Sequence, residues 1–212
     1  LSLRTVLLTV TALAVLSVYA PPALTFPHTL PHTNSNSNSP TMSYTLYDAA
    51  ILHTKEALKS LSSILKKAES HANASSFPTA KLAEDMLDLN FQVHFMTDTA
   101  QKVAARTTGS EPLTLARDDC KSFEGYQARI AQVLEVLEKA DKETVEKRGS
   151  EVVTIGLGPG KNADMKCRDY VQGYGTPNVF FHLTIAYAIL RKEGVELGKQ
   201  DFINPFMGQY LS

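Results

Sequence analysis

Residues 175–202 read GTPNVFFHLTIAYAILRKEGVELGKQDF, and this stretch decides the fold. Thr176 suits a helix N-cap, Pro177 the first helical position, where its missing N–H costs nothing, and Gly194 the left-handed residue that closes a last turn. Arg191 and Lys192 complement the negative end of the helix dipole. Between those ends Val179, Leu183, Ala186 and Leu190 form an apolar stripe, which Phe180, Tyr187 and Ile189 widen nearly all the way round. A helix this apolar packs on several neighbours, so the stretch predicts the central wall of a bundle. His182 is the one group in that wall that titrates near neutral pH.

Upstream, three more segments carry helical periodicity. Over residues 44–72, Leu46, Ala50, Ala57, Leu61, Ile64, Leu65 and Ala68 recur at helical spacing, with Lys55, Lys59, Lys66 and Lys67 outside. Residues 79–105 carry Leu82, Met86, Leu89, Val93, Met96, Ala100 and Val103 in alternating steps of four and three, a bundle seam. The same steps recur over residues 118–140 in Tyr126, Ile130, Val133, Leu137 and Ala140. Residues 151–155 are β-branched and precede a Gly-Pro-Gly turn and a second strand-like run at 163–167, which predicts a small hairpin before the last helix. Residues 202–212 form a tail that packs on the end of the bundle. The expected fold is mainly α, an antiparallel four-helix bundle with one β-hairpin.

Composition narrows the function classes. The chain has 212 residues, 43% hydrophobic and 20% charged, with a net charge of -1, as an ordinary globular domain has. Lys and Arg form no basic face with interleaved aromatics, so no nucleic-acid partner is expected. Cys120 and Cys167 have no metal-ligand spacing and are too few for a disulfide scaffold, so two thiols are expected. Residues 1–41 divide from residues 42–212. No charge occurs between Thr5 and Phe26, as in a signal peptide or membrane anchor, and a Ser/Asn-rich linker follows. The first Met is Met42. Two alternatives follow: a cytoplasmic protein that starts there, with residues 1–41 an upstream extension, or a secretory or membrane-anchored one that keeps residues 5–26.

Gly156-Leu157-Gly158-Pro159-Gly160-Lys161 lacks the phosphate-loop spacing and the Ser or Thr after Lys161, and reads as a hairpin turn. His53, His94 and His182 fall on the first, second and fourth helices, where three imidazoles could converge on a divalent metal. Tyr187, Asp98 and Gln101 could instead join His53, His94 and His182 around a small-molecule pocket, with His182 and Tyr187 as acid/base groups. A packed interior in which these groups satisfy one another is the structural alternative. No resident cofactor is required by either. The partners expected are an unknown small molecule and, through an exposed bundle face, a second copy of the chain.

The segments 42–48 (MSYTLYD), 177–182 (PNVFFH), 187–191 (YAILR) and 198–202 (GKQDF), with the helix over 82–106, resemble the domain-of-unknown-function family nineteen-ninety-three of bacteria and fungi. The resemblance covers residues 42–202 and implies a DinB-like four-helix bundle with Met42 as the usual start. Many DinB-like proteins hold a metal with one histidine of the second helix and an H-x-x-x-H pair on the fourth. By that resemblance His182 matches the first of the pair and His94 approximates the second-helix ligand, but Ala186 stands where the second histidine belongs. A metal-dependent transferase and a non-catalytic interaction protein are the other functions the resemblance leaves open.

Overall fold

The structure is a computed structural model that describes residues 43–208 and Tyr210. A π-helical turn, Asp48–Leu52, leads into α1, His53–Glu69. After a 3-10 turn at Ala74–Thr79 comes α2, Leu89–Thr108, and then α3, Phe123–Glu138. A short α4, Lys142–Lys147, precedes the strands β1, Val152–Gly156, and β2, Asn162–Lys166. The chain then continues through α5, Cys167–Tyr170, a π-helical turn Val171–Gly175, α6, Thr176–Lys192, and α7, Lys199–Met207.

The helices begin and end where side chains can meet their unpaired backbone groups. The Asp88 carboxylate accepts from the Phe91 amide at 2.9 Å and starts α2. Ser122 does the same for α3 through the Gly125 amide, and Asp141 for α4 through Thr144. At the end of α6, Gly194 has φ +92°, and the amides of Gly194 and Val195 return to the carbonyls of Arg191 and Leu190. That pair of bonds is a Schellman closure, the role expected of Gly194.

Four helices form the bundle, and side-chain contacts fix their directions. Lys55 reaches Glu138 and Ser62 reaches Gln127, so α1 and α3 are antiparallel. Gln92 meets His182 while a Cβ on Gly175 would meet Val103, so α2 and α6 are antiparallel too. Asn90 pairs with Tyr126 and His94 with Arg129, so α2 and α3 run parallel. His53 lies on Phe180, and His71 close to Gly194, which makes α1 and α6 parallel. Two helices thus run each way, in the order α1, α3, α2, α6 around the core. The expected stripe Val179, Leu183, Ala186 and Leu190 is wholly buried, as are Leu61, Ile64, Leu65, Val93, Met96, Val133 and Leu137.

Several boundaries differ from expectation, among them the third helix, which starts at Phe123 behind the Ser122 cap rather than at residue 118. The helix predicted to begin at residue 79 starts at Leu89; Leu82 and Met86 continue the apolar spacing but sit in bends outside the helix, Leu82 packed against the core. Thr176 caps nothing: its own φ and ψ are helical, and the helix reaches it from Cys167 through the wider π turn. That turn falls just before Pro177, whose ring nitrogen cannot supply the donor a regular turn needs.

β1 and β2 are antiparallel with Thr154 opposite Asp164. Val153 and Ile155 are buried, whereas Thr154 and Gly156 face outward. Gly158 and Gly160 both have positive φ, and the Leu157 amide closes on the Lys161 carbonyl at 2.7 Å, so the glycine-rich run is a hairpin turn. The start of the tail is α7, which lies along α1: the Ser60 hydroxyl donates to the Phe202 carbonyl, and Lys67 pairs with Asp201. Cys120 and Cys167 are buried thiols. Among the described residues no helix is long and apolar enough to cross a membrane. The expectations for residues 1–41 lie outside the described residues.

Candidate functional site

His182 is buried on α6 and faces α2. Its Nδ1 lies 2.8 Å from Gln92 Oε1, and Gln92 Nε2 donates to the Leu87 carbonyl at 3.0 Å. The second bond decides the first. A backbone carbonyl can only accept, so the nitrogen of the amide must face Leu87 and its oxygen must face His182. His182 therefore carries its proton on Nδ1 and keeps the Nε2 lone pair. Among the described residues the one buried side-chain nitrogen or oxygen without a partner is Arg148 Nε, so His182 Nε2, which makes no hydrogen bond, still meets solvent. Phe91, Phe95 and Phe181 surround the ring, with centroids 6.0, 4.9 and 5.2 Å away. Burial in this aromatic frame lowers the His182 pKa to about 4, so the ring is neutral at pH 7.

The other predicted site residues separate. His94 is half-buried, with Nδ1 3.4 Å from an Arg129 guanidinium nitrogen. Burial lowers its pKa most; Asp98 opposes that effect, and Arg129, Arg117 and Lys102 add to it. Gln101 is fully buried and acts as a clamp: its Oε1 accepts from the Leu113 amide, and its Nε2 donates to the Leu113 carbonyl and to Asp98. His53 belongs to another face, where it meets the Tyr44 hydroxyl at 3.2 Å and the edges of Phe180 and Phe206. Tyr187 points at the Leu197 carbonyl and packs on Phe202, towards α7. The set read from sequence as one pocket is thus distributed over several surfaces.

One recess does lie beside the predicted group. It encloses about 220 Å3 between α2, β1 and the turn after α5, and is walled by Phe95, Ile155, Tyr170 and Tyr174, with Asp98, Lys102 and Arg106 among its polar groups. Phe95 is shared: one wall of the recess is also the ring closest to His182. Lys102 pairs with Asp98 at 2.5 Å, while Arg106 donates to the Tyr170 hydroxyl at 3.0 Å and lies over its ring. Sequence reasoning named Asp98 here and missed the rest. The available signal was Lys102 and Arg106, two cations one turn apart on the flank of α2.

The metal that a DinB-like fold implies needs several converging donors, and these residues do not supply them. His182 has one open nitrogen, Ala186 follows it a turn later, and His94 faces a guanidinium. Among the described residues no group of three or more His, Cys, Asp or Glu is placed to hold a metal ion.

Comparison with known proteins agrees with this geometry at the level of the fold. Residues 46–203 match the family described as Domain of unknown function (DUF1993). The crystal structure of a DinB family member protein from Shewanella denitrificans superposes with a TM-score of 0.68 at 30% identity, covering 74% of this chain and 91% of that one. No curated protein matches the sequence. The four-helix arrangement, the match over nearly all of the bundle and the solved relative together place the chain in the DUF1993 family of DinB-like proteins.

Proposed function

We propose that this chain binds a small organic molecule on the α2 face, with the ligand's apolar part in the recess of Phe95, Tyr170 and Tyr174 and the neutral His182 as a hydrogen-bond acceptor beside it. The observation that carries the reading is the fixed tautomer. Leu87 orients Gln92, Gln92 holds the His182 proton on Nδ1, and Nε2 is left as an unpaired lone pair with slight solvent contact within an aromatic frame. Such a group accepts from a ligand N–H or O–H without first losing a proton.

Binding fits His182 better than acid/base catalysis does. A base whose conjugate acid has a pKa of about 4 has little driving force to take a proton at pH 7. Tyr187, its expected partner, is occupied with Leu197 and Phe202. A screen of aromatic and aliphatic fragments by thermal shift tests the proposal. Fragments that raise the melting temperature of the parent should lose that effect in both Phe95→Ala and His182→Ala, and an acceptor substitution, His182→Asn, should keep part of it. Fragment shifts that survive both alanine variants would overturn it.

A further inference from the structure

We infer that the cavity between the C-terminal end of α2 and strand β1 is an oxyanion-binding site, taking the phosphoryl or carboxylate head of a small anion on Arg106, Lys102 and Arg148. This inference goes beyond the proposed fragment recess, because an oxyanion can occupy the cavity whether or not an organic body fills the recess next door.

The cavity encloses about 260 Å3, and its lining includes Lys102, Arg106, Gly109, Ser110, Arg148 and Thr154 but no Asp or Glu. Three cationic side chains from two distant parts of the chain therefore meet at one concavity, which concentrates positive potential there. Nearby carboxylates pair with two of the three cations. Asp98 pairs with Lys102, and Glu151 with Arg148 at 2.7 Å; Asp164 takes the Thr154 hydroxyl. The partners of Arg106 are the hydroxyl and the ring of Tyr170, neither of which is an anion. The negative end of the α2 dipole also lies here, so what favours an anion is not a net charge but the one of the three cations without a carboxylate partner, Arg106.

The backbone is shaped for this arrangement. Gly109 ends α2 with φ +78°, and a Cβ on it would lie 2.7 Å from an Arg148 guanidinium nitrogen and 2.8 Å from its central carbon. Arg148 thus lies directly on a glycine that no other residue could replace without moving it. In that position its Nε–H is the one buried side-chain polar atom among the described residues that has no acceptor. Buried donors are almost always satisfied, so an orphan N–H beside two further cations takes an oxygen acceptor from outside the chain, from water or from an oxyanion. An oxyanion supplies one, and a guanidinium edge binds it with two parallel charge-assisted bonds. The aromatic recess shares Lys102 and Arg106 with the cavity, so an anion with an apolar body would span both.

The test is 1H–15N NMR of the untagged protein, including the arginine Nε–Hε region, titrated with inorganic phosphate and separately with acetate against sodium chloride of equal ionic strength. The expected result is a saturable shift of the Arg148 Nε–Hε peak and of the Gly109 and Ser110 amides, in the millimolar range expected for a lone small anion. Arg106→Met should weaken binding about tenfold or more, as the loss of a charge-assisted pair does. Lys102→Met, at a side chain 38% exposed and thus safe for the fold, should weaken it several-fold. Tighter phosphate identifies a phosphoryl ligand and tighter acetate a carboxylate. Shifts that stay linear and equal those in chloride, or a saturable shift that neither variant weakens, would overturn the inference. Loss of fragment binding in the recess leaves the phosphate titration unchanged, so the two proposals fail separately.

Discussion

Gly175 offers the sharpest test of how α2 and α6 meet. It is buried at the end of the π turn, with φ and ψ both near -60°, so an alanine fits its backbone without strain. Helix propensity alone makes Gly175→Ala favourable by about 1 kcal/mol. The new methyl, however, would lie 2.7 Å from Val103 Cγ2, closer than real Cβ contacts come. Val103 is fully buried on α2, and a β-branched side chain in a helix has essentially one rotamer, so it cannot swing aside. Overpacking of this kind costs about 1–3 kcal/mol. The clash outweighs the propensity, and Gly175→Ala should destabilise by roughly 1 kcal/mol net. In a Val103→Ala background the clash is absent, and the same substitution should stabilise by up to about 1 kcal/mol. The sign change makes a double-mutant cycle decisive. Urea unfolding of the four proteins, with midpoints compared at constant m, measures it. A stabilised Gly175→Ala in the parent would show that the two helices do not approach as described.

Further outcomes follow from the core and from His182. Leu183→Ala, at a fully buried position, should cost about 2–5 kcal/mol in urea unfolding, and a loss under 1 kcal/mol would contradict its burial. His182 has a folded pKa of about 4 against an unfolded value near 6.5, so below pH 6.5 the unfolded chain binds a proton that the folded one does not. The stability from its neutral burial is complete above about pH 6.5 and is lost as pH falls towards 4, up to roughly 3 kcal/mol. The unfolding midpoint should fall across that window by more in the parent than in His182→Gln, which keeps the smaller contribution of His94, and an NMR titration placing His182 above 6 would refute the assignment. Metal analysis of untagged protein should find no stoichiometric zinc, nickel or iron; stoichiometric metal that disappears in His182→Ala would restore the transferase reading.

The bundle was legible because its seams are regular. Val179, Leu183, Ala186 and Leu190 show a buried stripe in any helix that contains them, and Gly194 marks the end because only a left-handed residue closes a Schellman turn cheaply. Regularity also misled. Leu82 and Met86 keep the spacing of the α2 seam, yet Asp88 caps a helix that starts after them, so apolar spacing extended the helix over a segment from which Leu82 packs against the same core. Thr176-Pro177 has the chemistry of a helix start, but the helix already running from Cys167 absorbs the proline by widening one turn. Helix direction was hidden as well. Parallel neighbours such as α2 and α3 require a long connection, and connection length shows only that parallel packing is allowed.

The site was less legible because its chemistry depends on partners rather than on residue types. A histidine on an apolar helix can be a metal ligand, a base or an acceptor, and the choice for His182 is made by Gln92, an uncharged residue one step off the α2 seam, and through it by the Leu87 carbonyl. Nothing in the spacing of histidines carries that information. The cation cavity is hidden for a second reason. Arg148 lies 39 positions after Gly109 in the chain, and only the fold lays its guanidinium on the one residue at the end of α2 that has no side chain. Where a histidine pair would let a DinB-like bundle hold a charge between its helices, Ala186 leaves one neutral ring, and the cavity's cation without a carboxylate partner, Arg106, lies instead near the C-terminal end of the neighbouring helix α2. A ligand recognised there must bring its own negative charge, which is why an anion titration tests this chain more directly than a metal one.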